Sequence, residues 1–136
     1  MQITSLEQLQ AIKQSEIVEL PSFEDGTPFV AELKKPNMMQ LMVSGKIPNT
    51  LLSVATEMFN GRTGQVMNKA TEDIKALKEL VGMMELLAEA SLVNPSYKDI
   101  KNANISLTEH QLMAILTYSQ GGVKALENFR NQQTNN

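Results

Sequence analysis

The sequence contains no cysteine and no tryptophan, and its single histidine is His110. Without cysteine there is no disulfide framework, no thiolate nucleophile, no cysteine-based zinc site and no iron–sulfur cluster. One histidine leaves no His-rich metal site, and a Ser-His-Asp triad would have to be built on His110. Aromatics are scarce, with four Phe and two Tyr among 136 residues. Long apolar runs are missing as well. No stretch approaches the roughly 18 residues needed to cross a bilayer. The N-terminal MQITSLEQLQAIKQ lacks the basic start and continuous apolar core of a signal peptide. These absences lead to the expectation of a cytoplasmic protein without a membrane partner. A net charge of −3 argues against nucleic acid as the main partner.

What the chain has in plenty is methionine, nine residues of it. Hydrophobic residues make up 42% and charged residues 20%, values that suit one folded domain of this length. The charge is unevenly spread. Residues 1–32 carry six acids and one base, net −5. Residues 33–70 carry five bases (Lys34, Lys35, Lys46, Arg62 and Lys69) against Glu57, net +4. Residues 71–136 carry eight acids and six bases, net −2. Such a layout can steer partners or copies of the chain together, so a homo-oligomer is one expectation.

The patterning predicts a mainly α fold with a small N-terminal β-hairpin, an irregular single domain (1–136) of five to six helices. Within 1–59, a first helix opens at a Thr4–Glu7 capping box and carries Leu6, Leu9 and Ile12. IVEL and FVAEL flank a loop with Asp25-Gly26 and read as the hairpin, with Pro21 and Pro28 at the strand ends. Pro36 suits the first turn of a helix through Val43 that Gly45 terminates. Asn49 suits the cap of the next helix, with Leu51, Leu52, Val54, Ala55, Met58 and Phe59 at helical spacing. Residues 60–70, with Gly61 and Gly64, read as a linker or hinge.

Residues 71–130 read as the helical part. A long helix is expected from about Thr71 to Leu92, with Ile74, Leu77, Val81, Met84 and Ala88 on one face, Leu80, Met83 and Leu87 widening it, and Asn94-Pro95 as its stop. Gly82 inside it costs about 1 kcal/mol relative to Ala and suggests close packing of another helix. Residues 94–105 form a polar connection anchored by Tyr97 and Ile100. Ser106–Glu109 is a second capping box, opening a helix with Leu112, Met113, Ile115 and Leu116 that Gly121-Gly122 ends or bends. Val123, Leu126 and Phe129 make a last stripe, and NQQTNN (131–136) is expected to fray.

Catalytic patterns are weak throughout. EHQLM around His110 is not an HExxH helix, so His110 reads as a structural residue. Glu24-Asp25 and Glu72-Asp73 fall in a turn and a helix first turn, where local structure accounts for them. Gly61-Arg62-Thr63-Gly64 is too short for a phosphate loop and follows a helix instead of a strand. Residues 37–59 have the outline of a helix-turn-helix, yet TLLSVATEMF offers no Arg, Lys, Asn or Gln to read bases. No enzyme activity, cofactor or metal is therefore expected. The stretch Met38-Met39-Gln40-Leu41-Met42-Val43 has two readings. Its methionines either fill the core or form a surface that repacks against a partner. On the second reading, Met38, Met39, Met42, Ile47, Leu51 and Leu52 line the partner surface and Lys34, Lys35 and Lys46 steer acidic partners to it.

The order of motifs in VELPSFEDGTPFVAELKKPNMMQLMVSGKIPNTLL, followed later by ISLTEHQLMAILTYSQGGVKALENFR, resembles the tail assembly chaperones of long-tailed bacteriophages and related prophages of Gram-positive bacteria. The resemblance covers about residues 5–130, and SGKIPN is its most distinctive segment. It carries no catalytic residues. It implies a non-catalytic protein of the host cytoplasm that binds the tape-measure protein and helps recruit tail-tube subunits. It also implies a frameshift-extended partner form, for which the polar end NQQTNN would fit the short version. Two other classes compete: a virion structural protein of the tail or neck, and a small helical adaptor or regulator.

Overall fold

The computed structural model describes residues 1–134, apart from the side chains at 122–125, 130, 133 and 134. The chain is α+β, mostly helical, with a small antiparallel sheet near its N-terminus. Among the described residues it forms seven α-helices and one 3₁₀ turn, more than the five to six expected. The helices are α1 (Leu6–Gln10), α2 (Met38–Val43), α3 (Leu52–Phe59), α4 (Thr63–Ala70), α5 (Ile74–Ser91), α6 (Tyr97–Asn102) and α7 (Glu109–Thr134). The 3₁₀ turn is Asn49–Leu51.

The expected hairpin is present as β1 (Glu16–Leu20) and β2 (Phe29–Leu33), paired antiparallel with Val18 opposite Ala31. Period-2 alternation sends Val18, Leu20, Phe29, Ala31 and Leu33 to one face, where all five are buried. Ile17 and Val30 lie on the outer face and are exposed. The loop between the strands is closed by its own polar groups. Asp25 accepts a hydrogen bond from the Thr27 amide at 2.9 Å, which holds its carboxyl below the usual range. The Phe23 and Phe29 rings meet at 4.9 Å across the loop base. A third strand, β3 (Leu92–Asn94), joins the free edge of β2, so the sheet order is β1-β2-β3. The Lys34 amide donates to the Ser91 carbonyl at 2.9 Å and ties the end of β2 to the end of α5.

Several sequence expectations shift by a residue or more. The first capping box is Ser5 with Gln8, not Thr4 with Glu7. At α7 the reciprocal pair is Thr108 with Gln111, not Ser106 with Glu109. Gln111 is buried and also donates its amide to the Pro21 carbonyl at 2.9 Å, so the cap doubles as a tether to the hairpin loop. Asn49 begins the 3₁₀ turn and caps nothing with its side chain. The cap of α2 is Asn37, whose side chain accepts from the Gln40 amide at 3.0 Å, and Pro36 sits just before it. Gly45 and Gly61 follow α2 and α3 with φ of +77° and +81°, the left-handed region where a Cβ is unfavourable.

Residues 60–70, read as a linker, are largely helix. Val66 and Ala70 of α4 are buried, so one face of this polar segment belongs to the core. Residues 94–105 likewise contain α6, which turns Ile100 into the core as expected. The long helix α5 is shorter than 71–92. Asp73 caps it by accepting from the Lys75 amide at 3.0 Å, and it gives way to β3 at Leu92. Its buried face is Leu80, Met83, Met84, Leu87 and Ala88, while Ile74 and Leu77 at its start are exposed. Gly121-Gly122 does not end α7, which continues to Thr134. Leu126 is buried and Phe129 packs on the core; the side chain of Val123, the third member of that stripe, lies outside what is described, as do residues 135–136 at the end of the tail.

Two adjoining cores result. One lies between the inner sheet face and α5, α6 and α7, with Leu33, Ala88, Ile115 and Tyr118 at its centre. The other joins α2, α3, α4 and α5 around Met58, Met83 and Leu87. Burying a Leu, Phe or Met side chain fully is worth about 1.5–3 kcal/mol. Tyr118 brings a hydroxyl into the first core and places it 3.2 Å from Glu16 Oε1 and 3.3 Å from the Leu33 carbonyl. Burial and the neighbouring Glu16 carboxylate push its phenol up to about 12.

Candidate partner-binding groove

An open groove of about 1040 Å³ runs between the β2–α2 segment and the C-terminal half of α5. The end of β2 delivers Lys34 and Lys35 to one wall, and the turn after α2 delivers Lys46. All three lysines are exposed. Leu41, Leu51, Leu86 and Leu92 contribute apolar side chains to a lining that also holds Asn37, Gln40 and Ser44. Gly82 faces the groove from α5. A Cβ built there would lie 3.2 Å from Leu51 Cδ1, so glycine lets the 3₁₀ turn sit close against α5, which gives that residue the packing role its position suggests.

The opposite wall is of mixed charge. Glu85 and Glu89, one turn apart on α5, stand beside Tyr97 and Lys101 of α6. The Lys101 ammonium lies 5.0 Å from the centre of the Tyr97 ring, a cation–π contact. Partial burial raises the Tyr97 phenol above its ordinary value, and the Glu85 and Glu89 carboxylates add to the rise. A ligand helix in this groove would meet lysines along one edge and carboxylates along the other.

Of the residues expected on a partner surface, Lys34, Lys35, Lys46 and Leu51 line this groove together. Met39 is exposed, at 58% of its full area, on the outer face of α2. Met38, Met42 and Leu52 are half-buried and pack against the helical core. Ile47 is only 3% exposed and belongs to that core outright, so it cannot touch a partner without rearrangement. The two readings of the Met-rich stretch thus divide along the helix: Met38 and Met42 turn inward, Met39 outward.

Sequence reasoning missed the α5–α6 wall. Gly82, Leu86, Glu89 and Ala90 recur at helical spacing and mark one stripe of α5, but this stripe was hidden beside the larger core face. His110 is exposed in the first turn of α7. Among the described residues no group of three or more His, Asp or Glu side chains is placed to hold a metal ion. Among the same residues no helix is long and apolar enough to cross a membrane. No family model, curated protein or solved structure matches this chain.

Proposed function

We propose that the chain is a non-catalytic binding protein, a tail assembly chaperone that holds apolar helical segments of a phage tape-measure protein in the host cytoplasm. In that role it would also help bring tail-tube subunits to the growing tail. The observation that carries the reading is the open groove in which Leu41, Leu51, Leu86 and Leu92 stand among lysines and carboxylates, a mixed lining that suits an amphipathic helix. The motif order from VELPSF to SGKIPN supports the identity of the client. Met38 and Met42, half-buried against the helical core on α2 beside the groove residues Gln40 and Leu41, add side chains that can change rotamer as a client seats.

The test is co-expression with the cognate tape-measure protein, a very long helical protein encoded nearby. A chaperone should carry it into the soluble fraction as a complex and be absent from purified particles by mass spectrometry. Finding the chain in finished virions would favour a tail or neck structural protein instead. Failure of the chain to keep the tape-measure protein soluble would defeat the proposal.

A further inference from the structure

We propose that the groove, taken as the client site of the chaperone reading on which this rests, selects an amphipathic helix by the order of its charges. The client helix carries acids on one flank of its apolar stripe and bases on the other, and these charges fix the direction in which it lies. Opposite charges face each other across the groove without meeting. Lys34, Lys35 and Lys46 stand on the β2–α2 side, and Glu85 and Glu89 stand on α5 across the opening. All five are exposed. Among the described residues no ion pair joins one wall to the other. Lys101, on the carboxylate side, lies over the Tyr97 ring at 5.0 Å from its centre.

A helix laid between these walls satisfies both sets of charges at once. Leu41, Leu51 and Leu86 are half-buried, so each keeps surface to offer an apolar stripe. The flank over the lysines is complementary to Asp or Glu, and the flank over Glu85 and Glu89 to Lys or Arg. A uniformly acidic helix would set its charges against the two carboxylates, and a uniformly basic one against the lysines. Like charges brought together oppose binding. The lining carries four lysines and two carboxylates, net +2, so the fitting segment has more acid than base. Turning a helix end for end over the same stripe exchanges its flanks, so a helix with segregated charges fits in one direction only. The α5 wall from Gly82 to Ala90 is about 12 Å long, so slightly more than two turns of the client are read. The two ends of the groove are distinct. Gly82 and Leu51 approach each other at one end, and the Lys34 amide bonds the Ser91 carbonyl beside Leu92 at the other.

The test titrates two synthetic peptides of about 20 residues, long enough to hold a helix alone, against the full chain. Both share one composition, one apolar stripe and one net negative charge. In the first, acids and bases occupy opposite flanks; in the second, both flanks carry a mixture. The segregated peptide should bind at least about tenfold more tightly, with an advantage that shrinks as salt is added. Ala90→Arg, which fills the groove, should abolish the difference. If circular dichroism shows that variant misfolded, Glu85→Lys/Glu89→Lys takes its place and should bind an all-acidic peptide more tightly than the segregated one. A spin label at the N-terminus of the segregated peptide should broaden the amide signals of Gly82 and Leu51 or those of Lys34 and Leu92, but not both. Equal affinity for the two peptides overturns the proposal, as does binding of neither. So does a preference that survives the groove variant, or broadening at both ends. The chaperone reading fails separately. A tape-measure protein kept soluble beside equal peptide affinities defeats only the charge selection. A tape-measure protein left insoluble beside a clear preference for the segregated peptide defeats only the assignment of the client.

Discussion

Among the described residues, the core beneath the sheet contains no methionine, whereas the helical core gathers seven of the nine. The sheet side is filled with Val, Leu, Ile, Ala and aromatic residues and is fastened by polar contacts between elements distant in sequence. Tyr118 reaches Glu16 and Leu33, and Gln111 reaches Pro21. The helical side has Met58, Met83 and Met84 buried, with Met38, Met42, Met67 and Met113 around them. Branched and aromatic side chains with few rotamers define one packing arrangement. Unbranched thioethers tolerate several at similar energy. The groove borders the methionine-rich side, so the part of the molecule able to readjust adjoins the surface proposed for a partner.

The contrast can be broken by mutation, and the largest effect is expected on the sheet side. Leu33→Ala leaves a cavity at a fully buried position and should destabilise the chain by about 2–5 kcal/mol in urea unfolding. A loss under about 1 kcal/mol would show that this core is as forgiving as the other. Tyr118→Phe removes a hydroxyl with two partners and should cost about 0.5–1.5 kcal/mol near neutral pH. It should also change the alkaline profile. Between the ordinary phenol value of 10.0 and about 12, the unfolded chain has lost this proton while the folded chain keeps it. Folded protein then binds more protons, so wild-type stability falls as pH rises through that window. Denaturation of the Phe variant across the same window should show a shallower fall.

On the helical side, Met83→Leu conserves volume at a fully buried position and should cost less than about 1.5 kcal/mol. A cost equal to that of Leu33→Ala would erase the distinction between the cores. The smallest effect belongs to Ser5→Ala. It removes the cap of α1, but α1 buries nothing, so global stability of the dilute monomer should stay within about 0.5 kcal/mol. A larger loss by thermal unfolding would mean that α1 packs on its own body.

The hairpin was legible because its alternation and loop chemistry agree: Val18, Leu20, Phe29 and Ala31 point one way, and Asp25-Gly26 closes the turn. Strand β3 was not, because Leu92-Val93-Asn94 continues the apolar pattern of α5 and becomes a strand only by meeting β2. Helix α4 was hidden by its composition. TGQVMNKA is polar and starts beside Gly61, and only packing of Val66 and Ala70 secures it as a helix. Likewise, Gly121-Gly122 looked like a stop, yet burial of Leu126 beyond it accompanies an unbroken α7. Lys34, Lys35, Lys46 and Leu51 could be assigned to one surface from their proximity in sequence. The α5–α6 wall could not, since Glu85, Glu89 and Lys101 reach the groove only through tertiary packing.

The groove is proposed to receive an apolar helix of a client. This is tested most directly by titrating soluble helical fragments of the cognate tape-measure protein against the wild-type chain and the folded Ala90→Arg variant. Measurable binding to the wild type is expected, with a loss of at least about tenfold when the groove is filled. Equal affinity for both chains would contradict it.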